Sequence, residues 1–132
     1  MSNYYGQAPK KPERIVILRK WYCVFMDNID SDMKLGVNDA FMKLKKDSGS
    51  SNKAIRFLGS FCIVGEVYGG DYPDGHRIGT HIIKSMQKVT DPVIVGKIRR
   101  SGSDTVLRVT TVREEKYYLC LSSNGTIFGG NN

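Results

Sequence analysis

From residue 14 onward the chain is mostly short apolar runs separated by turn-forming clusters. Arg14 to Asp27 is rich in β-branched and aromatic residues and predicts one long strand or two short ones. Alternation places Ile15, Ile17, Arg19, Trp21, Cys23 and Phe25 on one face, and Val16, Leu18, Lys20, Tyr22, Val24 and Met26 on the other. Neither face is cleanly polar. That pattern predicts a central strand, or a register shift through a bulge near Arg19-Lys20. Trp21 and Tyr22 read as core.

Asp27 to Gly36 reads as a polar connection. Val37, Ala40, Phe41 and Leu44 then recur at helical spacing and predict a helix near residues 38–47. Asn38 is the expected N-cap, Lys43, Lys45 and Lys46 suit the negative end of the helix dipole, and Gly49 lies just past the end. The remainder predicts strands at Lys53–Leu58, Phe61–Tyr68, Arg77–Lys84, Val93–Arg99, Thr105–Val112 and Lys116–Ser122. The last three recur about every 11–12 residues, the rhythm of a meander. Ser101–Asp104 and Arg113–Lys116 are the hairpin turns, and Asp91-Pro92 makes Gln87–Pro92 a loop. A last short strand fits Thr126–Phe128.

The expected fold is mainly β, a β-rich α+β arrangement with one short helix near residues 38–47. Its strands form a small antiparallel barrel or a strongly curved sheet, SH3-like or OB-like. Residues 1–12, with two prolines and little to build a core, read as a flexible tail. Residues 13–128 read as a single β-rich globular domain and 129–132 as a frayed end.

Composition narrows the class. The 132 residues are 40% hydrophobic and 25% charged, without an apolar stretch long enough to span a membrane. The N-terminus lacks the pattern of a signal peptide. Cys23, Cys62 and Cys120 are odd in number and sit in apolar runs, which predicts buried, reduced thiols and a cytoplasmic protein.

The formal net charge is +7, and its distribution changes the picture. Residues 1–20 carry five basic side chains against Glu13, and residues 84–116 carry eight against four acids. Between them, residues 61–83 hold Glu66, Asp71 and Asp74 against Arg77 alone. Lys97, Arg99, Arg108 and Arg113 fall on or beside consecutive predicted strands. On a hairpin, Lys97, Arg99 and Arg108 would share one sheet face, with Tyr117 or Tyr118 near enough to stack on a base. A basic face of this kind suits nucleic acid or a phosphorylated nucleotide. Solvated side chains that keep a sheet soluble are the plain alternative. Lys10-Lys11, Arg14 and Arg19-Lys20 add a possible basic arm.

Other chemistry is weakly signalled. His76 and His81 with Asp71 and Asp74 are ligand types, but their spacing matches no metal motif, and a Pro-Asp-Gly turn needs Asp74 and Gly75 regardless. Cys62, His76 and Asp74 include the types of a nucleophilic triad, yet Cys62 lies in an apolar strand. Neither a Walker loop nor G-x-G-x-x-G opening a helix is present. No enzyme activity, metal or cofactor is expected. The acidic Asp71–Gly75 turn is a poor place for phosphate and reads as the architectural hinge of the sheet.

Gly65-Glu-Val-Tyr-Gly69, then Pro73-Asp-Gly-His-Arg-Ile-Gly-Thr-His-Ile-Ile83, then Arg108-Val-Thr-Thr111 ahead of Tyr117-Tyr-Leu119 resembles short β-rich proteins of bacterial and phage genomes. The resemblance covers residues 61–121, implies a compact accessory protein and transfers no site residues. Two functions follow as expectations. One is a non-enzymatic module that binds RNA, single-stranded DNA or a signalling nucleotide through Lys97, Arg99, Arg108, Arg113, Tyr117 and Tyr118. The other is a protein-interaction or inhibitor module, of phage or mobile-element type, docking on an acidic protein surface. A homodimer through an exposed strand edge is compatible with both.

Overall fold

The computed structural model describes residues 14–26, 30–46, 54–99 and 103–122. Seven strands and two helices follow in the order β1 (Ile17–Phe25), α1 (Ser31–Lys46), β2 (Ile55–Arg56), β3 (Phe61–Tyr68), β4 (His76–Gly79), β5 (Ile83–Lys88), α2 (Pro92–Ile98), β6 (Ser103–Thr111) and β7 (Lys116–Ser122). The strands form one mixed sheet in the order β2-β5-β6-β7-β1-β3-β4. Every pairing is antiparallel except β1 with β7. The fold is mainly β, as the pattern implies, and its sheet is an open one with β2 and β4 at the edges. No helix among the described residues is long and apolar enough to cross a membrane.

β1 is central, between β7 and β3, and its register against β3 shifts between Arg19 and Tyr22. Lys20 takes φ 49 at that bulge. The irregularity explains why neither face of β1 is polar: Leu18 and Arg19 are both buried, and simple alternation resumes only from Trp21. Trp21 is fully buried, stacks on Phe41 of α1 at 5.6 Å and donates its indole N–H to the Cys120 carbonyl at 3.0 Å. One sheet face therefore packs on Val37, Ala40, Phe41 and Leu44 of α1.

The opposite face, over β6 and β7, is covered by α2. Ile98 packs with Val106, Tyr118 and Cys120, joined by the half-buried Ile94 and Val95. β7 is thus covered on both faces, which accounts for its unbroken apolar run. The thiol of Cys120 donates to the Ile98 carbonyl at 3.3 Å.

β4 and β5 are separated only by Thr80, His81 and Ile82, yet β4 pairs with β3 at one end of the sheet order and β5 with β6 toward the other. The sheet must curve strongly to allow this. Thr80 holds the corner: its amide donates to Ile63 O at 2.8 Å, and its hydroxyl accepts from Ile63 N at 3.0 Å. The amide of Val112 donates to Ile82 O at 2.8 Å and ties the corner to the β6–β7 turn.

Several expectations require correction. Residues 92–98 are a helix and not the strand expected at Val93–Arg99. Asp91 caps it by accepting from Val93 N at 2.9 Å, and Pro92 fits its first turn, so the local capping chemistry outweighs the strand preference of Val-Ile-Val. Among the described residues there are two helices, then, and not one. α1 begins at Ser31, within the expected connection, because Asp30 accepts from Met33 N at 2.9 Å. Asn38 lies inside that helix and is not its cap. The single strand expected over Arg77–Lys84 is two, with His81 in the break between them, and β5 continues to Lys88 through part of the expected loop. β6 begins at Ser103, so the Ser101–Asp104 hairpin turn is replaced by a helix-to-strand connection. Cys62 is only partly buried, unlike Cys23 and Cys120, and all three thiols are free. The tail at 1–12, Gly49 and the short strand at 126–128 lie outside the described residues.

Candidate functional site

Arg108 lies in the middle of β6, opposite Gln87 of β5 and Tyr118 of β7. These three residues form one cross-strand row on the sheet face that α2 covers. The Arg108 guanidinium donates from Nη2 to Gln87 Oε1 at 2.8 Å, which fixes its direction while leaving it half-buried. Thr90, Asp91 and Ile94, at the start of α2, form the opposite wall of a groove of about 160 Å³. Lys88 stands at its rim and Tyr118, 2% exposed, closes its base. Asp91 is engaged in capping α2, so its carboxylate is directed at the Val93 amide.

The other expected cations do not share this row. Lys97 is in the last turn of α2, and Arg99 is its C-cap, donating its backbone N–H to Val95 O at 2.8 Å. They belong to a helix, so they do not pair across a hairpin with Arg108. Seven helical residues span roughly 10 Å at about 1.5 Å each, which sets the distance from the groove to Arg99 along α2. Arg113 is exposed in the β6–β7 turn, where its amide donates to Thr111 Oγ1 at 3.2 Å.

The two tyrosines are split by strand alternation. Tyr118 is buried against α2 and offers no exposed ring for a base, whereas Tyr117 points to the other face. Burial pushes the Tyr117 phenol above its ordinary range, helped by the nearby Glu115, Tyr72 and Asp71.

Tyr117 lines a larger groove of about 610 Å³, between the β3–β4 turn and the β6–β7 turn. Arg14 and Asp71 meet there at 2.6 Å, from positions 57 residues apart. The β3–β4 turn is built from its own residues: Gly69 N donates to Asp74 Oδ1 at 2.9 Å, and Gly75 N donates to Val67 O at 2.8 Å. Gly69 and Gly75 take φ 82 and 90. Tyr72 stacks on His76 with ring centroids 5.2 Å apart and planes within 10°. On the other side, Glu115 accepts from Thr111 Oγ1 at 3.2 Å and pairs with His81 Nδ1 at 2.7 Å, while Lys84 pairs with Glu114. The lysine draws the Glu114 carboxyl below its ordinary range.

The acidic turn is the hairpin connection of β3 and β4 and also one wall of the groove of about 610 Å³. Composition flagged the turn, but nothing local could pair it with Arg14 or with Glu114–Tyr117. Among the described residues no group of three or more His, Cys, Asp and Glu side chains is gathered around a common point. Burial raises both the Cys23 and Cys62 thiols above their ordinary range. The chain matches no family model, no curated protein and no solved structure.

Proposed function

We propose that this chain is a non-enzymatic binding module for a phosphate-bearing anion, of the RNA, single-stranded DNA or nucleotide class. The observation that carries the reading is Arg108, a half-buried guanidinium held by Gln87 in a groove that Lys88 and Thr90 also line. A pre-aimed fork loses less freedom on binding than a solvated arginine, and charge-assisted bonds to phosphate oxygens are the strong kind. The net charge of +7 raises the local concentration of any polyanion. Lys97 and Arg99, about two turns along α2, extend the cationic surface on a scale that suits several linked phosphates. Recognition is by phosphate and not by stacking on Tyr118, whose ring is enclosed.

Titration of labelled single-stranded RNA, single-stranded DNA and a nucleotide panel at two salt concentrations tests the proposal. A bound oligonucleotide should weaken steeply with salt, and Arg108→Ala should lower affinity at least severalfold. Saturation by none of the probes, or an unchanged affinity in Arg108→Ala, would remove the idea.

A second reading has the same cationic face docking on an acidic site of a partner protein, as an interaction or inhibitor module. Val93 favours it, being an apolar residue 66% exposed on α2 beside the exposed Lys97 and Arg99.

A further inference from the structure

We propose that the groove between the β3–β4 and β6–β7 turns recognises an arginine-bearing segment of a partner polypeptide, and that Arg14 holds the place of that arginine. The site is separate from the Arg108 groove and opposite to it in preference. Arg14 shows the chemistry directly: Nη1 donates to Asp71 Oδ1 at 2.6 Å and Nη2 to the Gly69 carbonyl at 3.2 Å. Two acceptors set for one fork select guanidinium over the single point charge of an ammonium.

The Gly69 acceptor is fixed by the fold and not by Arg14. Asp74 holds the Gly69 amide, and the positive φ of Gly69 sets the direction of its carbonyl. The Tyr72 ring, 56% exposed, is oriented by its stack on His76 and lies where a guanidinium can rest against an aromatic face. Lys84 and His81 brace the opposite wall by holding Glu114 and Glu115.

The groove lining is rich in carboxylates although the protein is positive. Asp71, Glu114 and Glu115 line it against Arg14 and Lys116, and Lys84 pairs with Glu114, so these formal charges cancel with Arg14 in place and leave one negative charge once Arg14 swings out.

Displacement of Arg14 is inexpensive because its side chain and that of Asp71 are 59% and 88% exposed, and such ion pairs contribute little. The volume of about 610 Å³ exceeds what one guanidinium fills. The half-buried Val16 and Ile78 supply apolar surface for the residues beside it, which points to a peptide and not to a free cation.

The test uses the full chain, ¹⁵N-labelled, with capped pentapeptides Gly-Gly-X-Gly-Gly in which X is arginine, lysine or glutamate, and with free arginine. The arginine peptide should shift the amides of residues 69–76 and 113–117, the lysine peptide less, and the glutamate peptide not at all. Arg14→Ala should tighten the arginine peptide about two- to fivefold, the range of an exposed ion pair. Arg14→Lys should fall between, and Asp71→Asn should reduce arginine to the lysine level. Thermal melts confirm that each variant is folded. The proposal is overturned if arginine and glutamate peptides shift these amides equally. It is also overturned if Arg14→Ala fails to tighten binding, which would make Arg14 a brace. Free arginine binding as tightly as the peptide would overturn the polypeptide partner.

Discussion

Replacing Gly69 by alanine tests the geometry on which the larger groove depends. Gly69 has φ 82, and a Cβ built there would stand 2.8 Å from the Ile15 carbonyl oxygen, which is backbone and cannot rotate away. The left-handed conformation alone costs an L-residue about 1–2 kcal/mol. Relieving the contact requires the Ile15 and Gly69 segments to separate, an overpacking cost of about 1–3 kcal/mol. Gly75 is the internal control, with φ 90 but no atom nearer than the Tyr68 hydroxyl at 3.8 Å, so Gly75→Ala carries the conformational cost alone. The loss of unfolded-chain freedom from Gly to Ala is common to both and cancels in the difference. With an unfolding entropy of about 2.1 cal/mol/K per residue over 132 residues, 1 kcal/mol lowers the melting temperature by about 3.6 °C. Gly69→Ala should therefore melt about 7–18 °C below the parent and Gly75→Ala about 4–7 °C below it. Thermal unfolding followed by far-UV circular dichroism measures both. Equal losses in the two variants would refute the close approach of Gly69 to Ile15.

Three further outcomes are expected. Asp91→Ala should destabilise by about 0.5–2 kcal/mol through loss of the α2 cap, while Gly36→Ala, with open space around its Cβ site, should stabilise by about 0.5–1 kcal/mol; urea unfolding reads both, and no gain from Gly36→Ala would mean that residues 31–36 are not helical. In native protein, iodoacetamide should label the partly exposed Cys62 before Cys23, at a rate that rises with pH because only thiolate reacts and burial raises both pKa values; Cys23 should label only on unfolding, as peptide mapping would show. Lys84 holds the Glu114 carboxyl low, so the stability this contributes is present above the ordinary glutamate range and is lost as pH falls through the depressed folded value; in Lys84→Ala, a carboxyl-detected NMR titration should find Glu114 moved upward.

How far the sequence pattern carried depended on whether local forces and tertiary packing agreed. Phe61–Tyr68 and Lys116–Ser122 were legible to the residue, because β-branched and aromatic runs are bounded there by turn-forming residues, of which Gly69–Gly75 and Val112–Arg113 form turns in the structure. The β1 bulge was legible for a related reason: two mixed faces are incompatible with an unbroken register. The first turns of α1 were not, since Ser31 to Gly36 bury nothing and show no apolar stripe. α2 was misread because Val93, Ile94 and Val95 favour strands while the outcome rests on Asp91, Pro92 and the burial of Ile98. That error moved Lys97 and Arg99 off the sheet and broke up the expected basic face, leaving Arg108 in its row. The Arg14–Asp71 contact joins the ends of the neighbouring strands β1 and β3 across 57 residues of sequence and had no local signature.

Amide-resolved NMR of the full chain titrated with a single-stranded tetranucleotide at low salt is the most direct measurement of the proposed anion site. Shifts should concentrate on residues 87–94 and 106–109, extend to Lys97 and Arg99, and vanish together in Arg108→Ala. Shifts absent from residues 87–94 and 106–109, or unaltered by Arg108→Ala, would contradict the assignment of anion binding to the Arg108 groove.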